Sequence, residues 1–466
     1  MRCVRRVHRL ALHASIALAG SAQTAAAQCS SDKLSYPGSQ SFPPIFGGAV
    51  AIGGDVAAVG APQHAEGDEI RGGAFAFRRA APHSWPFEQK LVASDGAAFD
   101  SFGSSVAAAA DVVIVSAPSA DAAGTGSGAA YVFRFDGSGW SQEQKLVPDD
   151  GAPGDGFGRP ALSGSGDLAV VAAAGADPQG SSSGAAYVFR FSAGQWVQEQ
   201  KLVPSLAADD MYFGWGVATD GQRIAVGAAG YDTFSGAVFI FEHAAGAWVQ
   251  THVLLSPSPE HFEVFGSALA LDGDRLLVGA PGDSGGGPTQ GGAAYVLGFD
   301  RGSGDWLVQA KLEPAGRREL DNYGSTVAIS GDTALLGKNP HDPTAAAPPA
   351  VFVNDGAWSQ RGELRSSFGS ADAIYGGPVA LSGGAAIVGS RLSFDNEELP
   401  GAAFVFNVGA CLCAADFGGD GVVNTMDVAA FLNAWVADHP GADVLRDGSV
   451  DTRDVAAFLN LWVAGC

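Results

Sequence analysis

The chain has 466 residues, of which 66 are glycine, 16% are charged and 47% are hydrophobic, and its formal net charge is −23. That much apolar material excludes global disorder, and the length calls for several domains or one large repeat architecture. Without a basic stripe, neither a nucleic acid nor an anionic membrane surface is expected as a partner.

The chain opens with Arg2, Arg5, Arg6 and Arg9, followed by an apolar run from Leu10 to Ala22. The run is too short to cross a bilayer, and Ala25-Ala26-Ala27 supplies a small-residue cleavage site. Residues 1–27 are therefore expected to be a secretory signal. The mature protein would be exported to the cell surface, periplasm or medium. No other apolar run reaches the length of a span, so no membrane insertion is expected. Cys29, Cys411, Cys413 and Cys466 remain after cleavage. In an exported chain they suggest two disulfides, with three connectivities open.

Residues 28–410 are repetitive. An aromatic-Gly pair begins at Phe46, Phe102, Phe157, Phe213, Phe265, Tyr323 and Tyr375, spaced 52–58 residues apart. Each copy carries short apolar runs separated by turn-formers. The first alternates, as in FGSSVAA from Phe102. The second ends in a Gly-Ala-Pro-like corner, as at Pro62, Pro118 and Pro281. The third reads GAAYVF from Gly128 and Gly184, and GAAFVF from Gly401. The fourth starts at Trp85, Trp140, Trp196, Trp248, Trp306 and Trp358 and ends in QKL or a variant of it. Four period-two strands per repeat predict an all-β, seven-bladed propeller.

Seven aromatic-Gly strands but six Trp strands leave the last blade one strand short. Leu91 and Leu146 precede the next aromatic-Gly by 11 residues, and Leu34 precedes Phe46 by 12. The segment near Ser31–Ser35 is therefore expected to be the outer strand of blade 7, which removes an open edge. Cys29 and Cys411 would then flank neighbouring strands, which makes them candidates for a bridge that seals the ring.

The Phe-Gly and Gly-Ala-Pro pattern resembles the FG-GAP repeat, the blade unit of integrin α-subunit propellers, and is closest to its secreted bacterial form. The resemblance implies adhesion or ligand binding by a propeller face, with an unknown protein or glycan as ligand. The calcium loops common in such blades are not found in residues 30–408. Asp100, Asp155 and Asp321, just ahead of the aromatic-Gly pairs, read as turn-formers instead. The corners at Ala173-Ala174-Gly175, Gly337-Lys338-Asn339 and Gly389-Ser390-Arg391 depart from the pattern.

Residues 411–466 form a different module. DVAAFLN occurs at Asp427 and again at Asp454. Val428, Phe431, Leu432 and Trp435 recur as Val455, Phe458, Leu459 and Trp462, which is helical spacing. By phase, Leu432 and Leu459 are expected to be buried. Each helix follows an acidic loop. Asp416, Asp420, the Val422 carbonyl, Asn424 and Asp427 are spaced as oxygen donors to calcium. Asp443, Asp447, the Ser449 carbonyl, Asp451 and Asp454 repeat them, with Gly421 and Gly448 at the sharp turn.

The tandem loop-helix units resemble dockerins, calcium-dependent modules that plug into cohesin domains. Gly418 and Leu445 depart from that family, since each stands where a side-chain ligand is usual. The resemblance implies a cohesin-like or surface partner met by Thr425, Met426, Thr452 and Arg453. Cys413 and the terminal Gly465-Cys466 look like the flanks of a GC-type dockerin, which implies a Cys413–Cys466 bridge.

GDSGG at Gly282–Gly286 resembles a serine-protease nucleophile loop, but no positioned base accompanies it. The repeated tryptophans read as packing. The expected function is that of an exported, non-catalytic binding propeller anchored through a calcium-dependent module. A propeller hydrolase or lyase acting on polysaccharide, and a structural component of an extracellular matrix, are the alternatives.

Overall fold

A computed structural model describes residues 31–35, 45–66, 69–81, 84–206, 208–285, 289–338, 348–365, 375–390, 401–408, 425–437, 442, 444 and 449–464. The described chain falls into two compact units. The larger holds seven four-stranded antiparallel sheets. Blade 2 is typical. Its strands Val106–Ala109, Val112–Ala117, Ala129–Phe135 and Trp140–Leu146 run in sequence order from the innermost to the outermost. The second strand of each blade is wholly or almost wholly buried, because sheets cover both of its faces, so it reads VVIVSA or RLLVGA rather than alternating.

Inner strands of neighbouring blades touch all the way round, and Tyr375–Ser382 of blade 7 meets Ala49–Gly53 of blade 1. Blade 7 is completed by Ser31–Ser35, which lies antiparallel to Ala402–Asn407 with Leu34 opposite Ala403. The expected closing strand is thus in place, and buried Leu34 packs in the same cluster as Val405 and Ile387. Cys29 and Cys411 lie outside the described residues.

The outer-strand motif is explained by its neighbours. In blade 2, buried Trp140 anchors the strand. Gln142 reaches back a blade, accepting from the Ser94 N–H at 2.8 Å. Glu143 reaches forward and accepts from the Trp196 indole at 2.9 Å. Gln144 pairs both backbone groups of Trp196, at 2.7 Å each. Lys145 bonds Asp95 at 2.7 Å, and Leu146 enters the core. Gln200 pairs Trp248 in the same way, and Gln89 pairs Trp140. The amide side chain thus stands in for a ladder bond between sheets. The repeated tryptophans are packing residues, as the repeat position suggested.

Blades also join through glycine. Gly128, Gly184 and Gly236 have φ of +84°, +84° and +88°, and each bridges the aromatic residue that opens the next blade. A Cβ there would lie 2.1 Å from the carbonyl oxygen of Phe157, Phe213 or Phe265. Asp100, Asp155 and Asp321 each accept the backbone N–H three residues earlier, which is the expected turn chemistry.

The corner at Lys338 has its own logic. Blade 2 pairs Tyr131 with Lys145, whereas blade 6 has Ala350 opposite Glu363. The lysine has moved to the second strand. Lys338 is fully buried, with its ammonium 2.7 Å from Asp321, and burial lowers its pKa.

In the smaller unit, helices Thr425–Val436 and Thr452–Ala464 pack on one another. Their core is Phe431 and Phe458, both fully buried and ringed by Val428, Trp435, Val455 and Trp462. Leu432 is only half-buried and Leu459 is 39% exposed, which corrects the expectation from helical phase. The two phenylalanines face each other directly, and that turns the leucines to the flank of the interface.

Candidate functional site

Two regions carry chemistry, one in each unit. In the C-terminal unit, Asp427 and Asp454 are the third residues of the two helices, and both are 1% exposed. One Asp454 carboxylate oxygen accepts the Asp451 N–H at 2.8 Å. The Asp451 carboxylate accepts the Arg453 N–H at 2.8 Å and pairs with its guanidinium at 3.0 Å. The Asp451 carbonyl takes the Trp435 indole N–H at 2.8 Å, which ties the second loop to the first helix. Thr425, Met426, Thr452 and Arg453 are exposed. Asp416, Asp420, Val422, Asn424, Asp443, Asp447, Cys413 and Cys466 lie outside the described residues. Among the described residues no three His, Cys, Asp or Glu side chains converge. Asp427, Ser449, Asp451 and Asp454 offer only oxygen donors, and two buried carboxylates at matched places fit a hard cation.

The second region lies at the start of the propeller's inner strands. Two residues after the start of each aromatic-Gly pair, on the inner strand or just ahead of it, stand Gly48, Ser104, Arg159, Trp215, Ser267, Ser325 and Gly377. Only blades 3 and 4 place large side chains there. Trp215 is 41% exposed, unlike the buried outer-strand tryptophans. The Arg159 guanidinium lies 4.5 Å over its ring and donates to its carbonyl at 3.1 Å. Arg159 is open to solvent yet surrounded by protein, and the resulting desolvation lowers its pKa. Tyr212 meets the indole edge-on at 5.7 Å, and Phe234 lies 6.3 Å from Tyr212. Phe234 in turn stacks on Phe262 at 5.7 Å.

A short turn, Tyr231–Phe234, presents Phe234 to this cluster. Asp232, Thr233 and Phe234 all have left-handed φ, of 45°, 56° and 66°. Each such non-glycine residue costs on the order of 1–3 kcal/mol, a strain that collects at ligand sites. Trp215, Tyr212 and Phe234 line an open groove of about 420 Å³ together with Val264, Ser267, Asn322 and Ser325. The hydroxyl of Ser267 has no hydrogen-bond partner among the described residues. Sequence reasoning missed this groove. The available signal was Trp215 itself, an aromatic at an inner-strand position that is Gly or Ser in five other copies.

The serine of GDSGG belongs to neither region. Its neighbour Asp283 is buried, bonded to the Tyr295 hydroxyl at 2.7 Å and to Lys311 at 2.8 Å. Nearby Glu263 is fully buried and accepts from Ser256 at 2.7 Å, and burial pushes its carboxyl up to about 7.

No curated protein sequence matches this chain. Among solved structures it is similar to a proposed 6-phosphogluconolactonase from Bacteroides fragilis NCTC 9343, at 10% identity over 67% of this chain and 82% of that one, with a TM-score of 0.43. It is also similar to a protein from Lactobacillus plantarum, at 14% identity over 72% and 87%, with a TM-score of 0.46. Likenesses this distant carry no argument about activity. The FG-GAP repeat model matches residues 85–133, 140–189, 196–241, 248–297 and 306–353, together about half of the chain. With the seven closed blades described above, these five matches establish that the chain belongs to the FG-GAP repeat family.

Proposed function

We propose that this chain is an exported binding propeller without a catalytic step of its own, anchored through its C-terminal module. The observation that carries the reading is the matched burial of Asp427 and Asp454 at the heads of two equivalent, mutually packed helices. Burying the charge of a carboxylate is costly, and a cation beside it would offset part of that cost. Calcium would be held by Asp416, Asp420, the Val422 carbonyl, Asn424 and Asp427. The second ion would be held by Asp443, Asp447, the Ser449 carbonyl, Asp451 and Asp454. When bound, calcium neutralises these acidic loops and couples their ordering to helix packing. Thr425, Met426, Thr452 and Arg453 would then be offered to a cohesin-like or surface partner. The exposed aromatic groove supports ligand binding by the propeller.

The test is calcium titration of the full chain by calorimetry, with helicity followed by circular dichroism. Two-site binding with a gain in helicity, lost in the double variant Asp427→Ala/Asp454→Ala, is expected. An absence of heat and of helicity change at about millimolar calcium, the weak end of such sites, would sink the anchoring role.

A further inference from the structure

We propose that the groove beside Trp215, at the start of the inner strands, binds a neutral oligosaccharide, with Trp215 as its stacking platform. This rests on the reading of the propeller as a binding module and names its ligand class. The asymmetry comes first. Six of the seven blades leave the Trp215 position without an aromatic ring, so symmetry of the fold does not require one. A tryptophan that leaves 41% of its surface in water gains little from burial, whereas Trp196 and Trp248 are 3% exposed.

The ring is nonetheless held firmly. Arg159 covers it at 4.5 Å and binds its backbone carbonyl. That uses one of five guanidinium donors and leaves others for a ligand. Tyr212 and Phe234 extend the aromatic surface outward, and the strained run Asp232–Phe234 fixes Phe234 in place. The same groove is lined by Asn322 and Ser325, which donate to the Leu320 and Asn322 carbonyls, and by Ser267, whose hydroxyl is buried.

A pyranose has this same duality, with a flat C–H face beside a rim of hydroxyls. Aromatic walls combined with a few placed polar groups are the usual composition of a small-ligand site. A net charge of −23 disfavours a polyanion.

The experiment titrates the full chain with cellohexaose, xylohexaose and mannohexaose, with polygalacturonate as the acidic probe, in calcium and again in chelator. One neutral hexasaccharide should bind in both buffers. Trp215→Ala should weaken it about tenfold or more, and Trp215→Phe should retain part of the affinity. Phe99→Ala, which removes an exposed ring from the matching loop of blade 2, should change it by less than about twofold. Thermal unfolding of each variant checks that the fold is intact. Silence from all three neutral probes, preference for polygalacturonate, or binding indifferent to Trp215→Ala would each overturn the assignment. Because the sugar titration is repeated without calcium, its failure is separable from failure of the anchor. A propeller that captures a protein instead would leave the sugars silent while keeping its binding role.

Discussion

The rings of Phe431 and Phe458 lie face to face, with centroids 4.1 Å apart and planes within 4°. They occupy the same place in the two copies of DVAAFLN, so the helices meet across a local two-fold relationship. Helices of 12 and 13 residues are marginal in isolation. This contact therefore decides whether the module folds. Phe458→Ala should cost about 3–5 kcal/mol. Hydrogen exchange on the full chain should show helices Thr425–Val436 and Thr452–Ala464 losing protection while the blades keep theirs. Unchanged protection in the helices would refute this account.

Trp306 and Trp358 have buried indole N–H groups without partners among the described residues. In blades 2 to 4 the acceptor is a glutamate one blade earlier, namely Glu88, Glu143 or Glu199. Blade 4 has Thr251 at that place, so Trp306 goes without. Thr251→Glu should therefore stabilise the propeller by about 1 kcal/mol, and Glu143→Ala should cost about 1–3 kcal/mol by orphaning the Trp196 indole. Chemical denaturation of both variants reads the two signs, and a destabilised Thr251→Glu would contradict the clamp.

The glycine joints give a paired test. Gly184 and Gly194 share φ of +84°, but a Cβ at Gly184 would meet Phe213 O at 2.1 Å while Gly194 has open space. Gly194→Ala should cost about 1–2 kcal/mol from backbone strain alone. Gly184→Ala adds a backbone clash and should cost several times more, on the order of 4 kcal/mol or above. Equal melting shifts would mean that blades do not depend on this close approach.

Two buried groups set opposite pH dependences. Burial holds the Glu263 carboxyl near 7, above its ordinary 4.5. The native state therefore binds more protons than the unfolded one between these values, and stability falls as pH rises through that window. The loss is of order 3 kcal/mol. His64 is the reverse. Burial, aided by Lys90, lowers it to about 4 from 6.5, so stability falls as pH drops through that range. Glu263→Gln should remove the loss on raising pH between 4.5 and about 7 and leave the His64 loss on lowering it. Thermal midpoints from pH 4 to 8 should rise more steeply with pH between 4.5 and about 7 in the variant than in the parent, and identical slopes would refute the assignment.

Repetition made the propeller legible. Seven spaced aromatic-Gly pairs gave the blades, and a missing Trp strand pointed to Ser31–Ser35. What the outer-strand residues bind was hidden, because Glu143 and Gln144 find their partner on Trp196, a full repeat away. The same regularity masked Trp215, which matters because it breaks the pattern. Lys338 stood out as an irregular corner, but its meaning needed the register that sets Ala350 opposite Glu363. In the C-terminal helices spacing identified the apolar face without saying which residue of it, Phe458 or Leu459, would sit at the centre.

The strand Ser31–Ser35 leaves the ribosome before any blade and finds its place only beside Ala402–Asn407. Synthesis must therefore pass Asn407 before the ring can shut. Such distant pairing is slow to form, since a very long loop must close first. Until then Ala402–Asn407 presents a bare, apolar strand edge that invites pairing with other chains. The latch that leaves the finished ring without an open seam is thus also the step at which a newly made chain is most exposed to misassembly, and the point where a holding chaperone would have most to protect.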